Sequence, residues 1–318
     1  MKKLIIYSLC FYFCSTTLSF AQYRVKNQPI RMTDANAGYS FMSPQWSPDG
    51  AKIAVTSDRY NGIWIIPADG SGMFQLTDDG SAGYGFQWSA DSRAIVSRIA
   101  QFDGPYRYNA VKVYDVTTGE GKLVSDLRQS MSGLPRWADD DKTVFIFTDG
   151  VLDVFDTGRN SSSLKRGRVS PEIFFLKDDH IGSANIKTKN IKDIVPITDE
   201  IYLNLILSPD KTRMVFEVMS GNMHVMNTDG TGLIDLGTGF RPQWSPDSQH
   251  LVYMVTKDDG HQYISADLQI INIHTKEISK LTFEPDKLEM NPSWSPQGDK
   301  IAFDVLDEGT IYVAELTR

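Results

Sequence analysis

Pro44-Gln45-Trp46-Ser47-Pro48-Asp49-Gly50-Ala51-Lys52-Ile53-Ala54-Val55 decides the fold. It reads as a short strand ending at the Trp, a tight turn, and a β-rich second strand. Pro presets φ in such a turn and Gly accepts φ > 0. The same pattern returns as Phe86-Gln87-Trp88-Ser89-Ala90-Asp91 and as Pro135-Arg136-Trp137-Ala138-Asp139-Asp140. It returns again as Leu207-Ser208-Pro209-Asp210, Pro242-Gln243-Trp244-Ser245-Pro246-Asp247 and Pro292-Ser293-Trp294-Ser295-Pro296-Gln297-Gly298. Five of the six tryptophans occupy this one position. The intervals are 42, 49, 70, 37 and 50 residues, and Val169-Ser170-Pro171-Glu172 is a decayed copy that splits the 70 into 32 and 38.

After the turn, each unit carries a second strand, a third strand (Ile63-Trp64-Ile65-Ile66 in the first), a Gly-containing turn, and a fourth strand with a Leu-Thr type ending such as Gln75-Leu76-Thr77. Four short strands at about 40-residue period are the blades of a β-propeller. The last unit stops at a third strand, Ile311–Leu316, and Pro29-Ile30-Arg31-Met32-Thr33 matches a fourth-strand ending. Trp294–Arg318 and Pro29–Trp46 together span 41 residues, one blade. The expectation is an all-β, closed propeller of seven four-stranded blades, with six as the alternative and the N-terminal strand completing the last blade.

Composition agrees and narrows the function. The chain has 318 residues, 41% hydrophobic and 23% charged, with net charge −8. That supports a large folded core and disfavours disorder. Without a Lys/Arg run, the acidic balance argues against a nucleic-acid partner. Met1-Lys2-Lys3, an apolar run from Leu4 to Phe13 and Ser19-Phe20-Ala21 read as a secretory signal cut after Ala21, too short to serve as a membrane span. Both cysteines, Cys10 and Cys14, leave with it. Residues 22–318 are then one domain, periplasmic or secreted, without a thiol nucleophile or Cys-based metal site.

The repeats resemble the TolB-type β-propeller family, whose units carry Trp-Ser-Pro-Asp-Gly followed by Lys-Ile-Ala-Phe. The resemblance covers nearly all of residues 22–318. It implies a periplasmic propeller, six-bladed by family habit, and TolB itself adds an N-terminal α/β domain for which this chain has no room. Some relatives resemble pectin-fragment lyases, which use several histidines around a central metal. Prolyl-oligopeptidase-like enzymes share the propeller, but their α/β-hydrolase half is missing here.

Strand order places the second-to-third and blade-to-blade connections on one face of the disc, and the Pro-Asp-Gly turns on the other. On the first face lie two long loops, Arg98–Asn109 and Thr256–Tyr263, and the blade-to-blade residues Tyr39, Phe41, Tyr84, Arg128 and Arg241. Loops on a rigid scaffold carry binding. The candidate ligand residues are Tyr39, Arg59, Tyr60, Tyr84, Tyr106, Arg107, Tyr108, Arg241, His261 and Tyr263. Tyr beside Arg suits sugar stacking, carboxylate pairing or a protein hot spot. The plainer role for the aromatics, covering the blade tops, weighs equally. The Ser-Pro-Asp carboxylates read as turn residues, and the acidic pairs Asp78/Asp79 and Asp258/Asp259 as solvated loops.

No Gly-x-Ser-x-Gly elbow or His-Glu-x-x-His occurs. The histidines, His180, His224, His250, His261 and His274, are scattered, and only His261 sits well for a metal near the axis. No catalytic residue, metal or cofactor is assigned. The expected function is a monomeric, non-catalytic binding or scaffold module for a protein or glycan ligand of the cell envelope. The alternative is a polysaccharide lyase or glycoside hydrolase acting on acidic glycans.

Overall fold

The computed structural model describes residues 22–34, 38–160, 170–177, 179–219, 221–281 and 286–318. The proposed signal, Val169 of the decayed repeat, and Thr282 of Lys280-Leu281-Thr282, another Leu-Thr ending read as a fourth strand, lie outside the described residues.

Seven antiparallel sheets follow one another along the chain as blades of a closed β-propeller. Blade 1 is Phe41–Trp46, Lys52–Ser57, Ile63–Pro67 and Phe74–Thr77. Blade 2 is Gln87–Trp88, Ala94–Asp103, Tyr106–Asp115 and Gly121–Leu123. Blade 3 shows Arg136–Trp137, Thr143–Thr148 and Val151–Asp156, and blade 4 shows Glu172–Lys177, His180–Asn185 and Ile191–Ile194. Blade 5 is Tyr202–Leu207, Arg213–Val218, Asn222–Asn227 and Ile234–Thr238. Blade 6 is Phe240–Trp244, His250–Asp258, Tyr263–Asn272 and Ile278–Lys280. Blade 7 is Glu289–Trp294, Lys300–Val305 and Thr310–Thr317. The blade number is seven and not the alternative six, and the decayed repeat at Ser170-Pro171 opens a blade of its own.

The N-terminus supplies the missing outer strand of blade 7, in two pieces. Ile30 and Arg31 pair with Val313 and Tyr312, and Arg24 and Val25 pair with Thr317 and Leu316. This removes an open sheet edge. Tyr23 anchors the seam: its ring meets Trp294 edge-on at 5.3 Å and His250 at 5.1 Å. The Arg318 Nε donates to the Tyr23 hydroxyl at 2.7 Å, and the Arg318 Nη2 pairs with Asp247 at 2.6 Å.

Among the described residues there is no single central core. The buried apolar residues form seven clusters among the described residues, each between two neighbouring blades. The repeated Trp stitches these seams. The indole N–H groups of Trp88, Trp137 and Trp244 donate to the backbone oxygens of Gln45, Gln87 and Ile206 in the preceding blade, at 3.2, 3.1 and 3.1 Å. Each turn carboxylate closes its own turn, and Asp91 and Asp247 also take a distant arginine, Arg159 and Arg318. Ser47, Ser89, Ser208 and Ser245 donate to Asp49, Asp91, Asp210 and Asp247 at 2.5–2.6 Å, and each Ser Oγ also accepts a backbone N–H from the next strand.

The two long segments are not loops. Ala94–Asp103 and Tyr106–Asp115 pair without a break as far as Asp103 and Tyr106, leaving Gly104-Pro105 as the turn. His250–Asp258 and Tyr263–Asn272 do the same, with one bulge near the tip. Both are β-hairpins with second strands of 10 and 9 residues where blade 1 has 6. At ~3.3 Å per residue they stand roughly 10–13 Å proud of their neighbours.

Candidate functional site

Where the inner strands begin, on the face that bears the hairpins, the ring carries a repeated device that the sequence reading missed. Ser43, Asn204, Arg241 and Asn291, in blades 1, 5, 6 and 7, all have positive φ (54°, 52°, 54° and 48°) at a β-bulge. Three of them precede Pro44, Pro242 and Pro292, whose missing N–H suits the interrupted ladder. The bulge turns a backbone N–H towards the preceding blade, where a buried carboxylate takes it. Ser43 N–H donates to Asp304 Oδ1 at 2.9 Å, and Arg241 N–H donates to Glu217 Oε1 at 2.8 Å. The Asn of the carboxylate's own blade completes each site: Asn291 Nδ2 donates to Asp304 Oδ1 at 3.0 Å, and Asn204 Nδ2 to Glu217 Oε1 at 2.7 Å.

Both acids are buried. Burial pushes the Asp304 carboxyl up to about 7, against the pull of its hydrogen bonds and of Arg241. Burial also raises Glu217, opposed by Asn204 and Arg241. The exposed Arg241 guanidinium approaches Asn204 Oδ1 at 3.5 Å, between the two acidic blades. At the mouth of the propeller's central channel the inner strands are therefore tied by amide-to-carboxylate hydrogen bonds across two seams, between blades 5 and 6 and between blades 7 and 1.

A signal for it existed. Glu217 lies ten residues after Leu207, and Asp304 ten after Trp294, each a charge inside an apolar strand. Asn204 and Asn291 each stand three residues before the same marker.

The predicted ligand residues are distributed around the hairpin-bearing face. At the junction of blades 1 and 2, Tyr60 and Tyr84 meet edge-on at 5.0 Å, and the Arg98 guanidinium lies 6.0 Å from the Tyr84 ring. Arg98 Nη1 is tied to the backbone oxygens of Met131, Ser132 and Gly133 in the next connection. Arg59 and Tyr60 form the blade 1 turn, both with positive φ. Arg107 reaches Asn109 Oδ1 at 3.1 Å and Ser81 Oγ at 3.2 Å, which joins the blade 2 hairpin to the blade-to-blade loop. Tyr106 is at the hairpin tip, and Tyr108 pairs with Gln101 lower down. His261 and Tyr263 stand on the other hairpin, separated from Tyr106 by blades 7 and 1. Tyr39 folds back on blade 1, 5.2 Å from the Trp64 ring and 5.9 Å from Phe41.

Two placements differ from the sequence reading. Arg241 belongs to an inner strand, and Phe41 is a buried strand residue, because pairing begins earlier than the Trp motif indicates. The acidic pairs are partly structural: Asp79 is held by Lys112 at 2.7 Å and by the Tyr114 hydroxyl at 2.6 Å, while Asp259 accepts the turn N–H groups of His261 and Gln262.

The histidines are dispersed. His180 pairs with Asp179, buried His224 stacks on Phe216, His250 accepts from Asn272, and His274 meets Arg213. Among the described residues, no three of His, Cys, Asp or Glu gather as a metal-ligand set. No described helix is long and apolar enough to cross a membrane.

No family model matches the chain, and no curated protein matches it in sequence. Solved structures do match. The oligogalacturonate lyase of Vibrio parahaemolyticus superposes with TM-score 0.60 at 14% identity, covering 92% of this chain and 96% of that one. The Cps50 (Swd1) β-propeller domain of Myceliophteria thermophila superposes with TM-score 0.57 at 12% identity, covering 93% and 100%. TolB of Acinetobacter baumannii gives TM-score 0.48 at 14% identity, and the chain spans 63% of that protein's length. The class is thereby that of the β-propellers. At these identities the likeness is one of fold.

Proposed function

We propose that this protein is an exported, non-catalytic β-propeller that binds a protein or glycan ligand of the cell envelope on its hairpin-bearing face. The observation that carries the reading is the pair of projecting hairpins with exposed apolar tips on a ring that is otherwise closed by tight turns. A rigid scaffold with projecting elements is a binding architecture. Export follows from residues 1–21 read as a cleaved signal. Mass spectrometry of protein recovered from the envelope and medium tests that part, with Gln22 as the expected first residue. Pulldown from envelope extract beside a glycan screen tests the binding part. No ligand in either would refute it.

A second reading, a lyase or hydrolase of acidic glycans, draws on the fold shared with an oligogalacturonate lyase and on two buried channel-mouth carboxylates with raised pKa. The hydrogen bonds that hold those carboxylates between blades count against it. Release of unsaturated or reducing ends from polygalacturonate and related polymers, with and without chelator, decides. Absence of turnover across the panel removes this reading.

A further inference from the structure

The two hairpins stand on blades 2 and 6, on either side of blades 7 and 1. In blade 2, Ile95 and Ile99 pack against blade 1, and Asp103 and its partner Tyr106 continue that face to the tip. In blade 6, Ala266, Leu268 and Ile270 pack against blade 7, and Ile264, the extra residue of the bulge between Tyr263 and Ser265, stands beyond them at the exposed tip. Blades 7 and 1 lie between, and the strand face that carries Tyr106 is the one that packs against blade 1 lower down. Tyr106 is 59% exposed and Ile264 60%. Tyr39, at the junction of blades 7 and 1, and Leu306, in the blade 7 turn, are exposed apolar residues on the floor.

Resting on the binding-module reading above, we propose that this cleft docks an extended polypeptide segment carrying apolar and basic side chains. Aliphatic Ile264 and Leu306 suit peptide side chains better than sugar rings, which prefer aromatic faces. Among the described residues no further strand pairs with the hairpin tips 101–103 and 106–108, which leaves backbone groups open to an added strand. Charge completes the case. The carboxylates Asp58, Asp103, Asp258, Asp259, Asp286, Asp307 and Glu308 outnumber the cations Arg59, Arg107, Arg241, Lys257 and Lys287 on this side of the ring, with Lys287 already paired to Glu308 at 2.8 Å, on a chain of net charge −8.

The test is selection of a random-peptide phage library on the full chain, then titration of the recovered synthetic peptides by fluorescence polarisation. Recovered sequences should alternate apolar residues with Lys or Arg. Tyr106→Ser and Ile264→Ser should each weaken binding tenfold or more at unchanged melting temperature, and Met219→Ser, on blade 5 of the same face, should leave it unaltered. Affinity should fall several-fold as salt rises from 50 to 300 mM. Acidic or patternless peptides, no peptides, or indifference to both hairpin variants overturns the proposal. An envelope protein or glycan bound with the hairpin variants unaffected removes the cleft and leaves the binding module standing. Loss of every ligand in every screen removes both. Preferential sedimentation with anionic lipid vesicles, sensitive to the same variants, replaces the peptide with a membrane.

Discussion

Replacing Tyr23 by Ala tests how the ring is closed. Tyr23 is 4% exposed and lies against Trp294, His250 and the Arg318 guanidinium, 4.8 Å from its ring. It holds in place the N-terminal pieces that pair with Thr310–Thr317. Truncating a buried aromatic side chain costs about 3–5 kcal/mol, through lost burial and the cavity left behind. A kilocalorie lowers Tm by roughly 2–4 °C in a domain of 150–250 residues. For this longer chain the low end applies, so Tyr23→Ala should melt about 6–10 °C below the parent in a thermal scan followed by circular dichroism. Tyr23→Phe keeps the ring contacts and loses only the hydroxyl that accepts from Arg318, a loss of about 1–2 kcal/mol. Its fall should be near 2–4 °C. If Tyr23→Ala melts within about 1 °C of the parent, the N-terminal segment does not close the ring, and the closure argument fails.

Asp304, lifted to about 7 by burial, should make stability depend on pH. Its folded pKa lies above the unfolded value, so its contribution is complete below about pH 4 and is lost as pH rises through about 7, by up to ~4 kcal/mol. Urea midpoints at pH 5 and pH 8 should differ more for the parent than for Asp304→Asn, and equal differences would contradict the assignment. Arg159 pairs with buried Asp91 at 2.9 Å and lies over the Trp137 ring, so Arg159→Ala should lower unfolding free energy by about 2–3 kcal/mol in urea titration. Gly133→Ala would place a Cβ 2.0 Å from the Phe147 backbone oxygen, and a loss of about 1–3 kcal/mol by calorimetry is the expected result.

Much of this fold is written in local chemistry. Ser-x-Asp turns are closed by hydrogen bonds within five residues, so each copy announces a blade wherever it occurs. Closure was legible too, because a blade lacking its fourth strand and an N-terminal strand lacking a sheet define each other. The hairpins were harder. Phe102-Asp103-Gly104-Pro105-Tyr106 has the composition of a loop, and only the unbroken cross-strand pairing beneath it makes it a tip. The channel-mouth lock was hardest, since Asp304 meets Ser43 across 261 residues and only ring closure brings them together. Tyr39 and Arg241 show the same limit: strand order assigns them to loops between blades, while packing on Trp64 and the inner-strand bulge set what they touch.

The Trp positions make the ring self-reporting. Trp46, Trp88, Trp244 and Trp294 are buried at four different seams, and Trp137 packs against a fifth. Intrinsic fluorescence therefore reads the separation of neighbouring blades, and not the interior of any one of them. A chain retaining one such indole would signal, by a red-shifted emission as water reaches the ring, which seam opens first.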